Sequence, residues 1–421
     1  MTVLVVAPGS AGDVHPNVGL ALELQRRGHR VILMAAVIFA PLAQRVGLPF
    51  EGYGTEEEWR EILRNPDLWH PLRAFPLVAR HLMLPLVRPV YERIAQLQAE
   101  DPHLVVAGSG LVLGARIAQE KLGVPVATVH LQPSLIRSLQ EPAVLGFPDI
   151  LGWLPMSLRD PYLKLVDSIL IDRLLCPEVN AFRAELSLPP VKRIFDRWIH
   201  SPQLVIGFFP EWYAPPQPDW PPHVHLTGFP RYDESDTREV PADLEAFLRG
   251  GEPPVVFTAG SANAQGGEFF RVSAEACRKG GWRGILLTQF PEQLPPNLPD
   301  TVRHFDYVPF SQVLPQAAAF VHHGGIGTTA QALAAGVPQL VVPMSHDQPD
   351  NATRVCRLGV GDMLRPKHYR IDAVLDRLSR LMGSNAVAEN CRRRAAGLTT
   401  NTTLEETCKL IELLGDKRSS K

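Results

Sequence analysis

The sequence predicts an α/β protein made of two doubly wound parallel-sheet domains that face each other across a cleft. Three observations carry this expectation. Short apolar runs alternate with glycine turns and helical patterns, as strands covered on both faces require. That alternation stops in a proline-rich stretch and then restarts. A length of 421 residues also exceeds what one hydrophobic core usually fills.

The first element is a strand at Val3–Ala7, apolar at every position. The glycine turn Gly9–Gly12 leads from it to a helix over Asn17–Arg27, which Gly28 closes at the C′ position. A strand at Arg30–Ala36 and a helix at Ala40–Val46 follow, with later strands at Leu104–Ala107, Val126–His130 and Leu204–Gly207. From Pro210 to Pro254 proline crowds the chain and acidic residues gather at Asp233–Asp236, so a linker is predicted with the domain boundary near residue 231. Strands then resume at Val255–Thr258, Gly284–Thr288, Ala319–His322 and Gln339–Val342. The expected division is an N-terminal domain over 1–230, a second over 231–400, and a C-terminal helix over 401–421 that packs back toward the first.

Composition narrows the partners. A formal net charge of −2 and the lack of a Lys/Arg block argue against nucleic acid, and Arg392–Arg394 reads as a solvated helical face. Five cysteines without C-x-x-C spacing read as reduced thiols, not as a disulfide frame or a zinc site, and no metal is expected. The N-terminal apolar run lacks the basic residues of a signal peptide, and no segment reaches the ~20 apolar residues of a membrane span. A cytoplasmic protein is expected. In Pro71–Gln98, arginines alternate with leucines while Pro76, Pro85 and Pro89 interrupt the helical pattern. Two readings stand for that segment: helices packed beside the cleft, or an apolar channel or transient membrane contact, which would make the protein peripheral at the inner face of the membrane.

Chemistry gathers at two turns. The first, Gly9-Ser-Ala-Gly-Asp-Val-His-Pro16, lacks the G-x-G-x-x-G spacing, and the second strand ends in Ala35-Ala36 where a dinucleotide fold places an acid. It presents Asp13 and His15 at the cleft mouth instead. Asp13 reads as a catalytic carboxylate or as a helix N-cap, roles that can coexist. In the second domain Gly260-Ser261 follows a strand, and Phe320-Val-His-His-Gly-Gly-Ile-Gly-Thr-Thr329 runs a strand into a glycine turn and a helix. Backbone N–H groups and the positive end of the helix dipole there suit phosphate. Alternating side-chain directions put His323 toward the ligand and His322 toward the core. One helix and one strand later, Asp347 and Gln348 can hydrogen-bond sugar hydroxyls.

His323-Gly-Gly-Ile-Gly-Thr-Thr329 through Gly336-Val-Pro338 to Asp347-Gln348 resembles the donor signature of the family 1 glycosyltransferases, which have the two-domain GT-B fold. Tyr307-Val308 and the residues after it resemble the start of that signature, where an aromatic ring stacks on the nucleotide base. The resemblance implies that His323 binds the diphosphate and Thr328 a phosphate oxygen. Gly325, Gly327 and Thr329 complete the cradle, Asp347 and Gln348 hold the sugar, and Gly260 with Ser261 forms a Gly-Ser turn near the phosphates. Many members carry a catalytic histidine where this chain has Asp13, whereas Gly-Asp-Val-x-Pro is typical of the bacterial antibiotic and sterol branch. Which of Asp13 and His15 is the base stays open, and an exposed aspartate with a pKa of roughly 4 is a weak one.

Val191-Lys-Arg-Ile-Phe195, His200-Ser-Pro-Gln203 and Ala214-Pro-Pro-Gln-Pro-Asp-Trp-Pro221 resemble segments of the rhamnolipid-forming rhamnosyltransferases. The combined resemblance implies an inverting, metal-independent transferase with no cofactor beyond its nucleotide-sugar donor, dTDP- or UDP-linked. It would move a hexose, L-rhamnose from dTDP-rhamnose in the first instance, to a hydroxyl of a hydrophobic small molecule or lipid. A UDP-glucose-dependent glucosyltransferase of a natural product or sterol is the alternative, and a non-catalytic nucleotide-sugar-binding subunit is the alternative of another class.

Overall fold

Strand β1 (Thr2–Ala7) is buried at every position and becomes an interior strand of a seven-stranded parallel sheet in the computed structural model, which describes residues 1–398 and 402–419. The predicted limit between residues 400 and 401 lies outside the described residues. The other strands of this sheet are β2 (Arg30–Ala36), β3 (Phe50–Tyr53), β4 (Val105–Gly108), β5 (Val126–His130), β6 (Leu204–Gly207) and β7 (Val224–Leu226), in spatial order β3-β2-β1-β4-β5-β6-β7. A second parallel sheet comprises β8 (Val255–Thr258), β9 (Gly284–Leu287), β10 (Val302–Phe305), β11 (Ala319–His322), β12 (Gln339–Val341) and β13 (Gly361–Met363), ordered β10-β9-β8-β11-β12-β13. Two Rossmann-like sheets with helices are thus present. Each fully buried valine or leucine of the central strands contributes on the order of 2 kcal/mol to the core.

Four strands carry no clear sequence signal, and all four are sheet edges: β3, β7, β10 and β13. β7 lies inside the proline-rich stretch read above as a linker.

The first helix spans Ala11–Arg26, starting six residues ahead of the predicted Asn17. Gly12 and Pro16 look like turn residues, yet Gly12 sits in the first turn and Pro16 lies inside the helix, where proline costs a backbone hydrogen bond. Pro16 has no N–H to offer the Gly12 carbonyl, four residues earlier. Gly28, with φ +89°, closes the helix end as its spacing suggests.

The helix Thr403–Ser419 lies on the first domain although it follows the second in sequence. Cys408, Ile411 and Leu414 are buried there. Glu412 takes a two-pronged contact from Arg27 at 2.7 and 2.6 Å and a third from His29 at 2.9 Å. The Arg27 hydrogen bonds outweigh partial burial and hold Glu412 down to about 2.

Residues of the Pro71–Gln98 segment form the helix Ala74–Val78, a π turn over Ala79–Met83 and the helix Val87–Glu100. Ala79, Met83, Leu86, Val87, Val90 and Ile94 are buried in a core under the first sheet. This arrangement is the packed-helix reading of the segment, and its leucines do not form an exposed apolar face.

Candidate active site

In a parallel sheet whose strand order reverses, the loops leaving the two strands at the reversal diverge and open a crevice. In the first sheet that point lies between β1 and β4, in the second between β8 and β11. The loop after β1 carries Gly9–Asp13, the loop after β8 carries Gly260–Ser261, and the loop after β11 carries His323–Gly325. Topology alone therefore puts the two chemically marked turns at crevices.

Asp13 sits in the first turn of helix Ala11–Arg26. Its Oδ2 accepts the Ser10 backbone N–H at 2.9 Å and the Ser10 hydroxyl at 3.2 Å. The carboxylate thus does cap the chain entering the helix, and the capping fixes its direction. Gly9 must be glycine here: its φ is +119°, and a Cβ would lie 2.3 Å from Asp13 Oδ2. Burial in the cleft wall raises the Asp13 pKa to about 6 against the Ser10 hydrogen bond, and the charge of Asp347 adds to the rise. The exposed aspartate of ordinary pKa expected from sequence is therefore corrected to a half-buried carboxylate of raised pKa. Tyr53, at the end of β3, buries its hydroxyl near Gly9 and Asp13.

Across the cleft, His322 and His323 divide as their alternation predicts. His322 is fully buried, its Nδ1 accepts the Gly324 N–H at 3.1 Å and its Nε2 lies 3.0 Å from Gln339 Oε1. Accepting at Nδ1 puts the proton on Nε2. His323 instead lines the cleft, wedged between two glycines. A Cβ on Gly260 would approach its ring to 2.9 Å and one on Gly325 would approach Nε2 to 2.5 Å. Burial lowers its pKa to about 4, so the imidazole is neutral at pH 7, and Nδ1 has no partner among the described residues.

The helix Ile326–Ala335 begins at this turn and ends at Gly336, φ +69°. Gly327 and Thr328 face its open N-terminal end half-buried, Thr329 is fully buried with an Oγ1 unpartnered among the described residues, and Ser261 is exposed on the opposite lip. Asp347 Oδ2 accepts the Ile326 N–H at 3.2 Å and the Asn351 amide at 2.6 Å. Burial pushes Asp347 up to about 6 despite those bonds. Gln348 Oε1 accepts Met344 N–H at 2.8 Å and Ser345 N–H at 3.3 Å, which holds the loop ahead of it.

The two halves meet closely. A Cβ on Gly327 would lie 3.4 Å from the Gly12 carbonyl oxygen, so the two helix N-termini abut across the cleft. His346, left-handed at φ +60°, reaches the Leu68 carbonyl at 2.9 Å, and Trp69 packs edge-on against its ring. The helix Gln348–Arg357 ties the domains together: Asp350 accepts Val144 N–H at 3.1 Å, Asn351 accepts the Tyr213 hydroxyl at 2.8 Å, and Arg354 donates to the Tyr213 carbonyl at 2.9 Å. Among the described residues no three His, Cys, Asp or Glu side chains are placed to hold a metal ion.

His15 points elsewhere. Its Nε2 lies 3.3 Å from the buried carboxylate of Glu234 in the linker, which also binds Arg45 at 2.5 Å and Arg238 at 3.1 Å. Burial works to raise the Glu234 pKa, but hydrogen bonds from His15, Arg45 and Arg238 outweigh it and hold it at about 2. Tyr307 belongs to the same cluster. Its hydroxyl donates to the Asp233 carbonyl at 2.8 Å, Arg238 lies over its ring at 4.4 Å, and His15 meets the ring edge-on. Val308 beside it is buried.

Residues 3–135 match the family model described as glycosyltransferase family 28 N-terminal domain. Residues 285–414 match the erythromycin biosynthesis protein CIII-like C-terminal domain. The chain is 30% identical to O-mycaminosyltylonolide 6-deoxyallosyltransferase of Streptomyces fradiae over 100% of this chain and 99% of that protein. The chain belongs to the family 1 glycosyltransferases of the GT-B fold. It is also 29% identical to vancomycin aglycone glucosyltransferase of Amycolatopsis orientalis, over 86% of this chain and 85% of that one. The solved structure of spinosyn rhamnosyltransferase SpnG complexed with thymidine diphosphate shares the fold, with a TM-score of 0.67 at 20% identity over 97% of this chain and 100% of that chain.

In this glycosyltransferase, sequence reasoning missed Tyr53, Trp69, Glu234, His346 and Asn351 as members of the site and its frame. His346 and Asn351 flank the Asp347-Gln348 pair and were within reach of a reading of spacing. Tyr53, Trp69 and Glu234 arrive from segments distant in sequence, and only the fold brings them in.

Proposed function

We propose that this glycosyltransferase transfers a hexose with inversion and without a metal ion. Its donor would be a nucleotide sugar, and the acceptor a hydroxyl on a hydrophobic small molecule or lipid met in part at a membrane surface. The observation that carries the reading is the abutment of the two helix N-termini at Gly12 and Gly327, with Asp13 on one side and Asp347 on the other.

The acceptor hydroxyl lies against Asp13. As its oxygen bonds to the anomeric carbon from one face, the bond from that carbon to the diphosphate oxygen breaks on the other. The proton passes to Asp13 and the electron pair leaves with the diphosphate. A carboxylate with a pKa of about 6 is mostly ionised at pH 7 yet basic enough to take that proton as the bond forms. The leaving diphosphate meets the N-terminus of Ile326–Ala335, the neutral ring of His323 and the Thr328 hydroxyl, all placed before reaction. Asp347 and Gln348 face the sugar hydroxyls, and closing the cleft keeps water from the donor. His15, bound to Glu234, positions the first helix against the linker.

For the donor we favour L-rhamnose carried on dTDP. Segments resembling rhamnolipid-forming rhamnosyltransferases support this, as does the shared fold of a rhamnosyltransferase complexed with thymidine diphosphate. UDP-glucose is the second reading, supported by the relative named as a glucosyltransferase. Incubating the purified protein with dTDP-rhamnose or UDP-glucose, with and without hydroxylated lipids, tests both. Free nucleoside diphosphate should form only with acceptor present. Donor that binds but is never consumed with any acceptor would mark a non-catalytic subunit, and donor consumed without acceptor would mark a hydrolase.

A further inference from the structure

Of ten exposed large apolar side chains among the described residues, eight lie between Leu145 and Leu170. Ile150, Trp153, Met156, Leu158, Leu165 and Ile169 are among them, and Trp153 is 77% exposed. The helices Ile150–Trp153 and Met156–Val166 bury none of their residues. A stretch this apolar normally buries one helix face, and a patch of this kind on a soluble protein marks a binding surface.

The protrusion is nevertheless a built structure. Asp149 caps the first helix through the Gly152 N–H at 2.9 Å. Arg159 gathers the carbonyls of Leu139 at 2.6 Å, Leu154 at 3.0 Å and Gly152 at 3.2 Å, folding the segment onto itself. Asp167, fully buried, anchors the following turn through Arg137 at 2.8 Å and Arg193 at 3.2 Å. The chain therefore holds these apolar side chains outward.

Charge left exposed and unpaired around the protrusion is mainly basic, with Glu178 as the acid without a salt bridge among the described residues on the same helix as Arg173. Asp160 is paired with Lys164 and Arg193, Asp167 with Arg137 and Arg193, and Asp172 accepts the Arg193 backbone N–H. Arg173, Lys192 and Arg197 are exposed without a salt bridge among the described residues. Arg80 is exposed in the same way, in the segment whose Phe75 packs edge-on against Phe195 at 5.6 Å.

We propose that residues 145–170 form a membrane-docking surface, with Trp153 and its apolar neighbours entering the acyl boundary of an anionic bilayer and the basic rim meeting its headgroups. An apolar ridge bordered by uncompensated cations matches a bilayer with anionic headgroups, which offers both chemistries in one plane. A second copy of the chain would bring a like-charged rim against the first. The inference rests on the proposed apolar acceptor only for its purpose, and its test uses neither donor nor acceptor.

The full chain is mixed with vesicles of phosphatidylglycerol or of phosphatidylcholine and sedimented, and its tryptophan emission is recorded. Co-sedimentation with phosphatidylglycerol, weakened by salt, and a blue shift absent from Trp153→Phe are expected. Trp153→Glu with Ile169→Glu should lower the partition by at least about tenfold, while nucleoside diphosphate binding and the melting temperature stay unchanged. Wild-type protein that remains in the supernatant overturns the proposal, as does a variant that binds vesicles equally well. A wild-type dimer that the double variant makes monomeric would assign the surface to a second copy instead. Failure of transfer with every donor, alongside intact vesicle binding, would sink the functional reading and leave this one standing.

Discussion

Replacing Asp13 by asparagine should make the protein more stable and inactive at once. The carboxylate titrates at about 6 in the folded chain against 3.8 in the open one, because burial and the Asp347 charge disfavour its ionised form. At pH 7.5 both states are ionised, so the folded state carries the full penalty of that shift, up to ~3 kcal/mol. Below pH 3.8 both are protonated and the penalty is gone. Between these limits the folded state holds the proton that the unfolded chain has released. This group's contribution to stability is therefore present below the unfolded pKa and is lost as pH rises through about 6. Asparagine cannot ionise, yet its carbonyl can still accept the Ser10 N–H that Asp13 accepts at 2.9 Å.

The expected outcome is a melting temperature for Asp13→Asn several degrees above wild type at pH 7.5, with the gap closing toward pH 4. Turnover should fall by at least ~100-fold, the usual scale for loss of a general base. Scanning calorimetry at both pH values, beside single-turnover assays, reads both quantities. In wild type kcat/KM should rise about tenfold per pH unit below pH 6 and level off above it. A variant that is less stable than wild type at pH 7.5, or that retains turnover, refutes the placement of a strained carboxylate as the base.

Four further outcomes follow from the geometry. His323→Ala should weaken nucleoside diphosphate binding roughly tenfold by calorimetric titration, with no change in its pH dependence from 6 to 8 because the ring is already neutral there. Gly260→Ala places a methyl group 2.9 Å from that ring at φ +97° and should cost a comparable loss, seen in the same titration. If His15 positions the helix through Glu234, His15→Asn should lower kcat yet leave the midpoint of the pH–rate profile at its wild-type value; a displaced midpoint would make His15 the base. Arg354→Met leaves Asp350 buried without its partner and should destabilise the chain by about 3–5 kcal/mol in denaturant unfolding.

What the sequence discloses about this molecule divides along physical lines. Central strands such as β1, β5, β8 and β11 are covered on both faces, so their apolar runs are continuous and their limits readable to within a residue. The edge strands β3, β7, β10 and β13 have one neighbour each, tolerate residues such as the Glu51-Gly52 pair or the flanking prolines of β7, and leave no such run. The same contrast holds at the site. The proposed donor cradle is one contiguous loop and helix, so spacing alone separates His323 from His322. The hinge is not contiguous: Glu234 joins His15, Arg45 and Arg238, and Asp233 holds Ser311 through its N–H at 2.8 Å. Adjacent carboxylates in the linker thus grip opposite domains, Asp233 the second and Glu234 the first. A proline-rich composition identifies such a segment as a connection but cannot say that it is clamped at both ends. The clamp also explains why His15 is better understood through the linker than through the reaction. Its Nε2 already faces a carboxylate that pairs with two arginines as well, whereas the carboxylate of Asp13, two residues earlier, has only Ser10 as a hydrogen-bond partner among the described residues, on Oδ2, which leaves Oδ1 open for the proton transfer proposed above.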